Sequence, residues 1–294
     1  MPEALANKFL VPYDGSFRVA DAKTKVSGKQ SKKVLQKRLA EITEQLEDRT
    51  RMLYADDRYS LLLVFQAMDA GGKDSTIRAV LTGINPVQCQ VFSFKRPSTN
   101  QLDHDFLWRT SQRLPERGRI GVFNRSYYEE VLVVRVHPEI LKGQRLPEIP
   151  ELDELWQQRF ESIRDHEKHL ARNGTVILKF WLNVSREEQR RRFLSRLDTP
   201  RKNWKFSTAD VTERQHWSDY MQAYQECLNA TSRPRAPWYA IPADSKPFMQ
   251  VQVAEILLGT LNSLPLRYPV VKSDVNKEFE KMRKILKDRD TGPG

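Results

Sequence analysis

Short apolar runs alternate along this chain with segments whose apolar residues recur every three to four positions. Ser60-Leu-Leu-Leu-Val-Phe-Gln-Ala67 has the length and continuity of a buried strand, and Gln88–Phe94, Arg119–Phe123, Thr175–Leu182 and Trp238–Ile241 read the same way. Between them the spacing predicts helices over 73–83, 101–113, 151–172, 185–197, 210–230 and 246–263. A further amphipathic helix precedes the first strand at 29–54, where Val34, Leu35, Leu39, Ile42, Leu46 and Leu53 recur among charges. Strands that are apolar throughout and alternate with helices predict an α/β fold: a parallel five-stranded sheet covered on both faces, a three-layer α/β/α sandwich. Ligands of such sheets sit at the carboxyl ends of the strands. Residues 1–28 read as an irregular arm, 29–270 as a single domain, and 271–294 as a charged tail expected to fray.

Composition narrows the classes. The 294 residues carry 39 % hydrophobic and 30 % charged side chains with only 12 Gly and 16 Pro, which excludes collagen-like and low-complexity chains. The longest apolar runs, Leu61–Phe65 and Val131–Val134, fall far short of the roughly 20 residues a membrane span needs. No basic stretch followed by an apolar core opens the chain, and Cys89 and Cys227 lie far apart as expected free thiols, so a cytoplasmic protein is expected. A net charge of +11 points to a polyanionic partner: nucleic acid, an acidic membrane or a phosphate-rich substrate.

The first strand runs into Ala67-Met-Asp-Ala-Gly-Gly-Lys-Asp-Ser-Thr76 and then a helix. That is the context a phosphate-binding loop needs. Gly71 and Gly72 let the backbone curl so that the N–H groups of Ala70 to Asp74 face one anion, Lys73 adds a point charge, and the helix N-terminus adds its dipole. Ala67 and Asp74 depart from the usual G-x-x-x-x-G-K-[ST] pattern. With no hydroxyl after the lysine, Asp69 supplies the hard oxygen that Mg²⁺ prefers. The competing reading is a glycine turn with Asp69 and Asp74 as helix caps.

Phe123-Asn-Arg-Ser-Tyr-Tyr-Glu-Glu-Val131 follows the third strand. Arg125 can grip two phosphate oxygens at once, and Glu129 or Glu130 could hold a metal. Asn124 and Ser126 are equally good helix caps, so alone this stretch does not decide.

Together the motifs resemble polyphosphate kinase family 2. The resemblance rests on Asp-Ala-Gly-Gly-Lys-Asp, Phe-Asn-Arg-Ser-Tyr-Tyr-Glu-Glu, Trp-Lys-Phe-Ser at 204–207 and Pro-Trp-Tyr-Ala-Ile-Pro-Ala-Asp at 237–244, in that family's order, over roughly residues 30 to 270. It implies a P-loop kinase-like fold with a mobile helical lid at about 198–216, and Mg²⁺-dependent (or Mn²⁺-dependent) transfer of phosphate between inorganic polyphosphate and nucleotides. Asp69, Lys73 and Arg125 take the catalytic positions, Asn124 and Arg125 the second phosphate motif. Asp69 and Glu129 are the metal candidates, with Glu129 and Tyr128 at the nucleotide. Glu129 stands where members specific for nucleoside diphosphates tend to have Asn, so the chain resembles the subgroup that accepts AMP and ADP; adenine nucleotides are expected first, guanine as a further acceptor. Members commonly carry an arginine just after the Ala-Asp-x-Lys stretch; here Met249-Gln250 follow, leaving Lys246 alone.

Residues 186–214 hold nine Lys/Arg against five acids. Arg192 and Arg196, four apart, share a helix face, and Lys202 and Lys205 lie in the loop beyond it. These four, with Lys95, Arg96, Arg109 and Lys246, are expected to line a channel for the polyphosphate donor. A homo-oligomer, dimer or tetramer, is expected, the helix at 29–54 offering an interface. The five histidines do not cluster. Two other readings compete: an ATP-dependent kinase for a small metabolite on the same fold, and a basic nucleic-acid-binding protein. The second needs aromatics interleaved with basic residues, and only Trp204 and Phe206 fit.

Overall fold

A computed structural model describes residues 5–26, 28, 30–270 and 273–289. Its elements, in chain order, are α1 (Lys32–Asp56), β1 (Ser60–Gln66), α2 (Lys73–Val80), β2 (Cys89–Ser93), α3 (Thr99–Leu102), α4 (Trp108–Ser111), β3 (Ile120–Asn124), α5 (Glu129–Val136), α6 (Leu152–Arg172), β4 (Thr175–Asn183), α7 (Arg186–Leu197), α8 (Thr208–Glu213), α9 (Trp217–Thr231), β5 (Trp238–Pro242), α10 (Lys246–Ser263) and α11 (Ser273–Arg289). All four strand pairings are parallel, in the order β2-β3-β1-β4-β5. The central strand β1 is buried along its whole length, as its unbroken apolar sequence requires. The carboxyl ends of β1 and β3 lie side by side, with Phe65 opposite Asn124.

Helix α10 is apolar on most of its circumference and lies between the sheet and α1, burying Met249, Val253, Ile256, Leu257 and Leu261. The apolar stripe of α1, Leu35, Ile42, Leu46 and Leu53, is buried with it. That stripe is therefore used within the chain rather than presented to a second copy. The irregular arm is docked: Val11 N–H donates to Trp238 and Ala240 N–H to Phe9, so the arm runs antiparallel along β5.

Three segments differ from the periodicity reading. The 101–113 stretch forms two four-residue helices, because Asp105 caps a fresh turn through Leu107 N–H. The 210–230 stretch breaks at a 3₁₀ turn, Arg214–His216. The tail, expected to fray, holds a 17-residue helix, α11, whose Phe279, Met282, Ile285 and Leu286 are exposed. The apolar run Val131–Val134 lies within helix α5, for which the periodicity gives no sign. Among the described residues no helix is long and apolar enough to cross a membrane.

Behind the sheet's carboxyl edge, Lys179 of β4 is wholly buried. Its ammonium donates to Glu167 (2.7 Å), Tyr128 Oη (2.8 Å) and the Thr231 carbonyl (2.9 Å), so all three protons have acceptors. The hydroxyls of Tyr127 and Tyr128 complete the shell of Glu167 at 2.9 and 2.8 Å. Burial pushes the lysine pKa down, and Glu167 opposes that shift. Lys179→Met should cost about 3–5 kcal/mol, because it leaves a buried carboxylate without its cation. Adding Glu167→Leu should recover part of the loss, which denaturant unfolding of the single and double variants would measure.

Candidate active site

The loop after β1 is defined by where its carbonyls point. Ala67 O accepts from Lys73 Nζ at 2.8 Å, and Met68 O from Gly71 N–H at 2.9 Å. Asp69 O accepts from Gln189 Nε2 at 2.9 Å, and Arg192 Nη1 serves both Ala70 O and Gly71 O at 2.9 Å. Gly72 O accepts from Thr76 N–H at 3.0 Å. A trans peptide points its carbonyl and the following amide in opposite directions. With these carbonyls held, the amides of Ala70, Gly72 and Lys73 turn to the other side, where no side chain caps α2. The result is the arrangement that an anion site needs, amides turned to one side at a helix N-terminus without a side-chain cap.

The glycines are required for this path. A Cβ on Gly71 would lie 2.6 Å from Ala67 Cβ, while Gly72 has φ +106° and rests against the Met249 methyl group. Met249 is fully buried there and Gln250 donates to Ser75 O, so both residues pack behind the loop.

Arg125 stands across the cleft in a left-handed backbone conformation, φ 64°. Its Nη2 donates to Asp69 Oδ1 at 2.7 Å and its Nη1 to Glu129 Oε2 at 3.3 Å. Glu129, then Asp69, hold the guanidinium pKa up. Lys73 is nearly enclosed; burial pushes its pKa down to about 8, Arg125 adds to that shift, and Asp69, Glu129 and Asp74 oppose it. Asn124 Nδ2 donates to Asp74 Oδ1 at 2.7 Å, tying the start of α2 to the end of β3. The cleft in front of Arg125 is lined by Asp69, Glu129, Leu132, Gln189, Tyr220 and Tyr224, and by Asp210, Glu213 and Arg214 from α8 and the 3₁₀ turn after it. Burial and the Asp69 charge raise the pKa of Asp210. Glu213 is held by Tyr220 Oη at 2.7 Å and His137 Nε2 at 3.0 Å.

Residues 29–267 match the family described as Polyphosphate kinase 2 (PPK2). This chain belongs to that family. It is 55 % identical over 244 residues to an ADP-polyphosphate phosphotransferase of Rhodopseudomonas palustris, covering 83 % of this chain and 84 % of that one. It is 41 % identical over 267 residues to an AMP/ADP-polyphosphate phosphotransferase of Meiothermus ruber, covering 89 % and 95 %. The crystal structure of polyphosphate kinase 2 from Arthrobacter aurescens superimposes with a TM-score of 0.86 at 33 % identity over 97 % of this chain and 99 % of that one.

In this polyphosphate kinase 2 chain, Asp69, Lys73, Arg125 and Glu129 converge as the sequence suggests. Other expectations do not hold. Tyr128 is fully buried, its hydroxyl on Glu167 and Lys179, so it faces the core and not a nucleotide. Glu130 is buried on Arg159 and Gln144 rather than open to a metal. Arg192 is 7 % exposed and grips Ala70 O, Gly71 O, Ala243 O and Glu188, which removes it from a donor channel. Arg109 is buried, donating to Lys95 O and lying over Phe94. Arg196 pairs with Asp210 of α8 at 3.4 Å. Lys95, Arg96 and Lys246 are exposed; the side chains of Lys202 and Lys205 lie outside those described.

Gln189 was not singled out, although it sits three residues before Arg192 on the same face of α7. Asp210 and Glu213 share a face of α8 in the same way and were counted only as charges.

A lysine cannot span the five acceptors that Arg192 serves, Glu188 and the carbonyls of Ala70, Gly71, Ala243 and Asp244. Arg192→Lys should therefore destabilise the fold by roughly 2 kcal/mol and lower kcat with AMP and ADP alike. Denaturation alongside steady-state kinetics checks this. A selective rise in KM for polyphosphate at unchanged stability would return Arg192 to the donor channel.

Proposed function

We propose that this protein transfers the terminal phosphoryl group of inorganic polyphosphate to nucleoside diphosphates, and to AMP as a second acceptor, in a reversible, metal-dependent reaction. The observation that carries the reading is the amide-lined loop facing Lys73 and Arg125 at the switch between β1 and β3, in a chain of the polyphosphate kinase 2 family. The relatives' names extend the reading to substrates: both include ADP, one also AMP.

The chemistry asks little covalent help from the protein. A terminal phosphate oxygen of the acceptor attacks the last phosphorus of the donor chain. The bridging P–O bond breaks, and the shortened chain leaves as a phosphate oxyanion. With a second phosphate pKa of about 6, the acceptor is already anionic at neutral pH and no general base is needed. Catalysis is positioning and charge neutralisation. The loop amides and Lys73 hold phosphate oxygens, while Arg125 lies opposite, where it can clamp the group in transit.

Asp69 and Glu129 would hold Mg²⁺, which would draw charge off the phosphates. The residues fit it: both offer hard carboxylate oxygens to one cleft, and Mg²⁺ typically takes one or two carboxylates with substrate phosphates and water completing its shell. Mn²⁺ suits the same oxygens. The exposed Lys95, Arg96 and Lys246 supply positive charge for the donor chain.

Incubation with Mg²⁺, long-chain polyphosphate and AMP, ADP or GDP, followed by separation of the nucleotides, tests the reading. ATP from ADP and ADP from AMP are expected. ATP alone would confine the acceptors to diphosphates, and no product from any acceptor would sink the proposal. Asp69→Asn should lower turnover by about 10² or more, as loss of a group aimed at transition-state charge does, with the unfolding midpoint unchanged. Lys73 adds a pH signature. Its pKa is lowered, so in the free enzyme its charge is present below about 8 and lost as pH rises through that value. Then kcat/KM for polyphosphate, which reports the free enzyme, should fall above pH 8. The limb in kcat should lie higher, since a bound anion holds the proton. A flat kcat/KM profile to pH 10 would remove Lys73 from anion binding.

A further inference from the structure

We propose that Gln189 is a positioning residue that couples the lid segment to the phosphate loop, through Arg214 on one side and the Asp69 carbonyl on the other. Its meaning for catalysis rests on the proposed phosphotransfer; the contacts do not.

Gln189, on α7, is 1 % exposed, and both ends of its amide are engaged. Nε2 donates to Asp69 O at 2.9 Å, and Oε1 accepts from Arg214 Nη1 at 2.8 Å. The partners fix the amide's orientation, because a carbonyl only accepts and a guanidinium only donates. Arg214 opens the 3₁₀ turn directly after α8, and the same Nη1 also donates to Arg186 O at 2.7 Å. Among the described residues, the contacts of Arg196 with Asp210, of Asn203 with Leu197 O and of Arg214 with Arg186 O end at α7. The Gln189 contact continues into the loop.

Its point of entry matters. Asp69 O belongs to the peptide plane whose other pole is the Ala70 amide, so aiming one aims the other. Ala70 sits at φ 58°, a left-handed conformation that a residue with a Cβ keeps only when its surroundings impose it. Gln189 holds the peptide before Ala70 and Arg192 the carbonyl after it. If the lid swings away and takes Arg214 with it, Oε1 loses its partner and the amide is held at one end only. An amide held at one end can rotate, and rotation releases Asp69 O. The loop is fully aimed while the lid is docked and loosened when it is not.

Two substitutions cut the relay at different ends. Gln189→Glu keeps an acceptor for Arg214 and loses the donor to Asp69 O. Arg214→Ala removes the lid end and no direct contact to the loop. Amide exchange of a peptide spanning 67–76 in the ligand-free protein is the readout. Each variant should speed that exchange about 2- to 30-fold, the range of couplings carried by such contacts. The double variant should be no faster than the faster single. Exchange in α6 should stay at the wild-type rate, separating the relay from general loosening. In polyphosphate-plus-ADP assays, Gln189→Glu should lower kcat with little change in KM for polyphosphate, because Gln189 acts through the loop. Wild-type exchange of 67–76 in Arg214→Ala, or additive effects in the double variant, would overturn the coupling. Wild-type protein that makes no ATP while the exchange pattern holds would refute the phosphotransfer reading and leave the relay standing.

Discussion

A peptide group has two poles, and a pocket built from its amides exists only where the carbonyls find partners elsewhere. That constraint organises this molecule. Six consecutive carbonyls, Ala67 to Gly72, each accept a hydrogen bond from the protein. The donors come from the loop itself, from the helix that follows it, and from one face of α7. Arg192 is the largest contributor, and its second branch reaches the carbonyl after β5, so the loop is pinned to both β1 and the far strand. The order of the sheet, with β4 between β1 and β5, delivers α7 to the place from which it can do this.

The second constraint is charge. Lys73 and Arg125 lie among Asp69, Glu129 and the other acids of the cleft, while the chain as a whole carries +11. The excess positive charge lies mostly outside that cluster, where it attracts a polyanion at long range and is screened by salt. Inside, Arg125 is already held by Asp69 and Glu129, and Lys73 by the Ala67 carbonyl. A ligand must offer phosphate oxygens at the right spacing, rather than mere negative charge, to displace those contacts.

Much of this was legible in the sequence. The strands were, because a strand buried on both faces leaves an unbroken apolar run, as Leu61–Phe65 does. The loop was, because Gly71 and Gly72 stand where no other residue fits beside Ala67 and Met249. Arg192 and Tyr128 were misread for a shared reason. An arginine that grips backbone carbonyls and one that grips phosphate obey the same helical spacing, and a tyrosine adjoining Arg125 in sequence turns to the opposite side once α5 begins. Nothing local reports which acceptor a guanidinium meets. Gln189 escaped notice because its two partners lie in segments far from it along the chain. The break in the 101–113 helix depends on a local Asp105 cap that apolar periodicity does not register.

The bracing also fixes when, during synthesis, a site can exist. The phosphate loop emerges from the ribosome early, but Gln189 and Arg192 follow Asp69 and Ala70 by 120 and 122 residues. The β1–β4 pairing that carries α7 into position is of similar range, Ser60 with Thr175. Contacts this distant in sequence form late and slowly. A nascent chain can therefore display the whole glycine motif while having nothing to hold the carbonyls of Asp69, Ala70 and Gly71 aside, and a fragment ending before α7 carries the signature of a phosphate site without its full geometry.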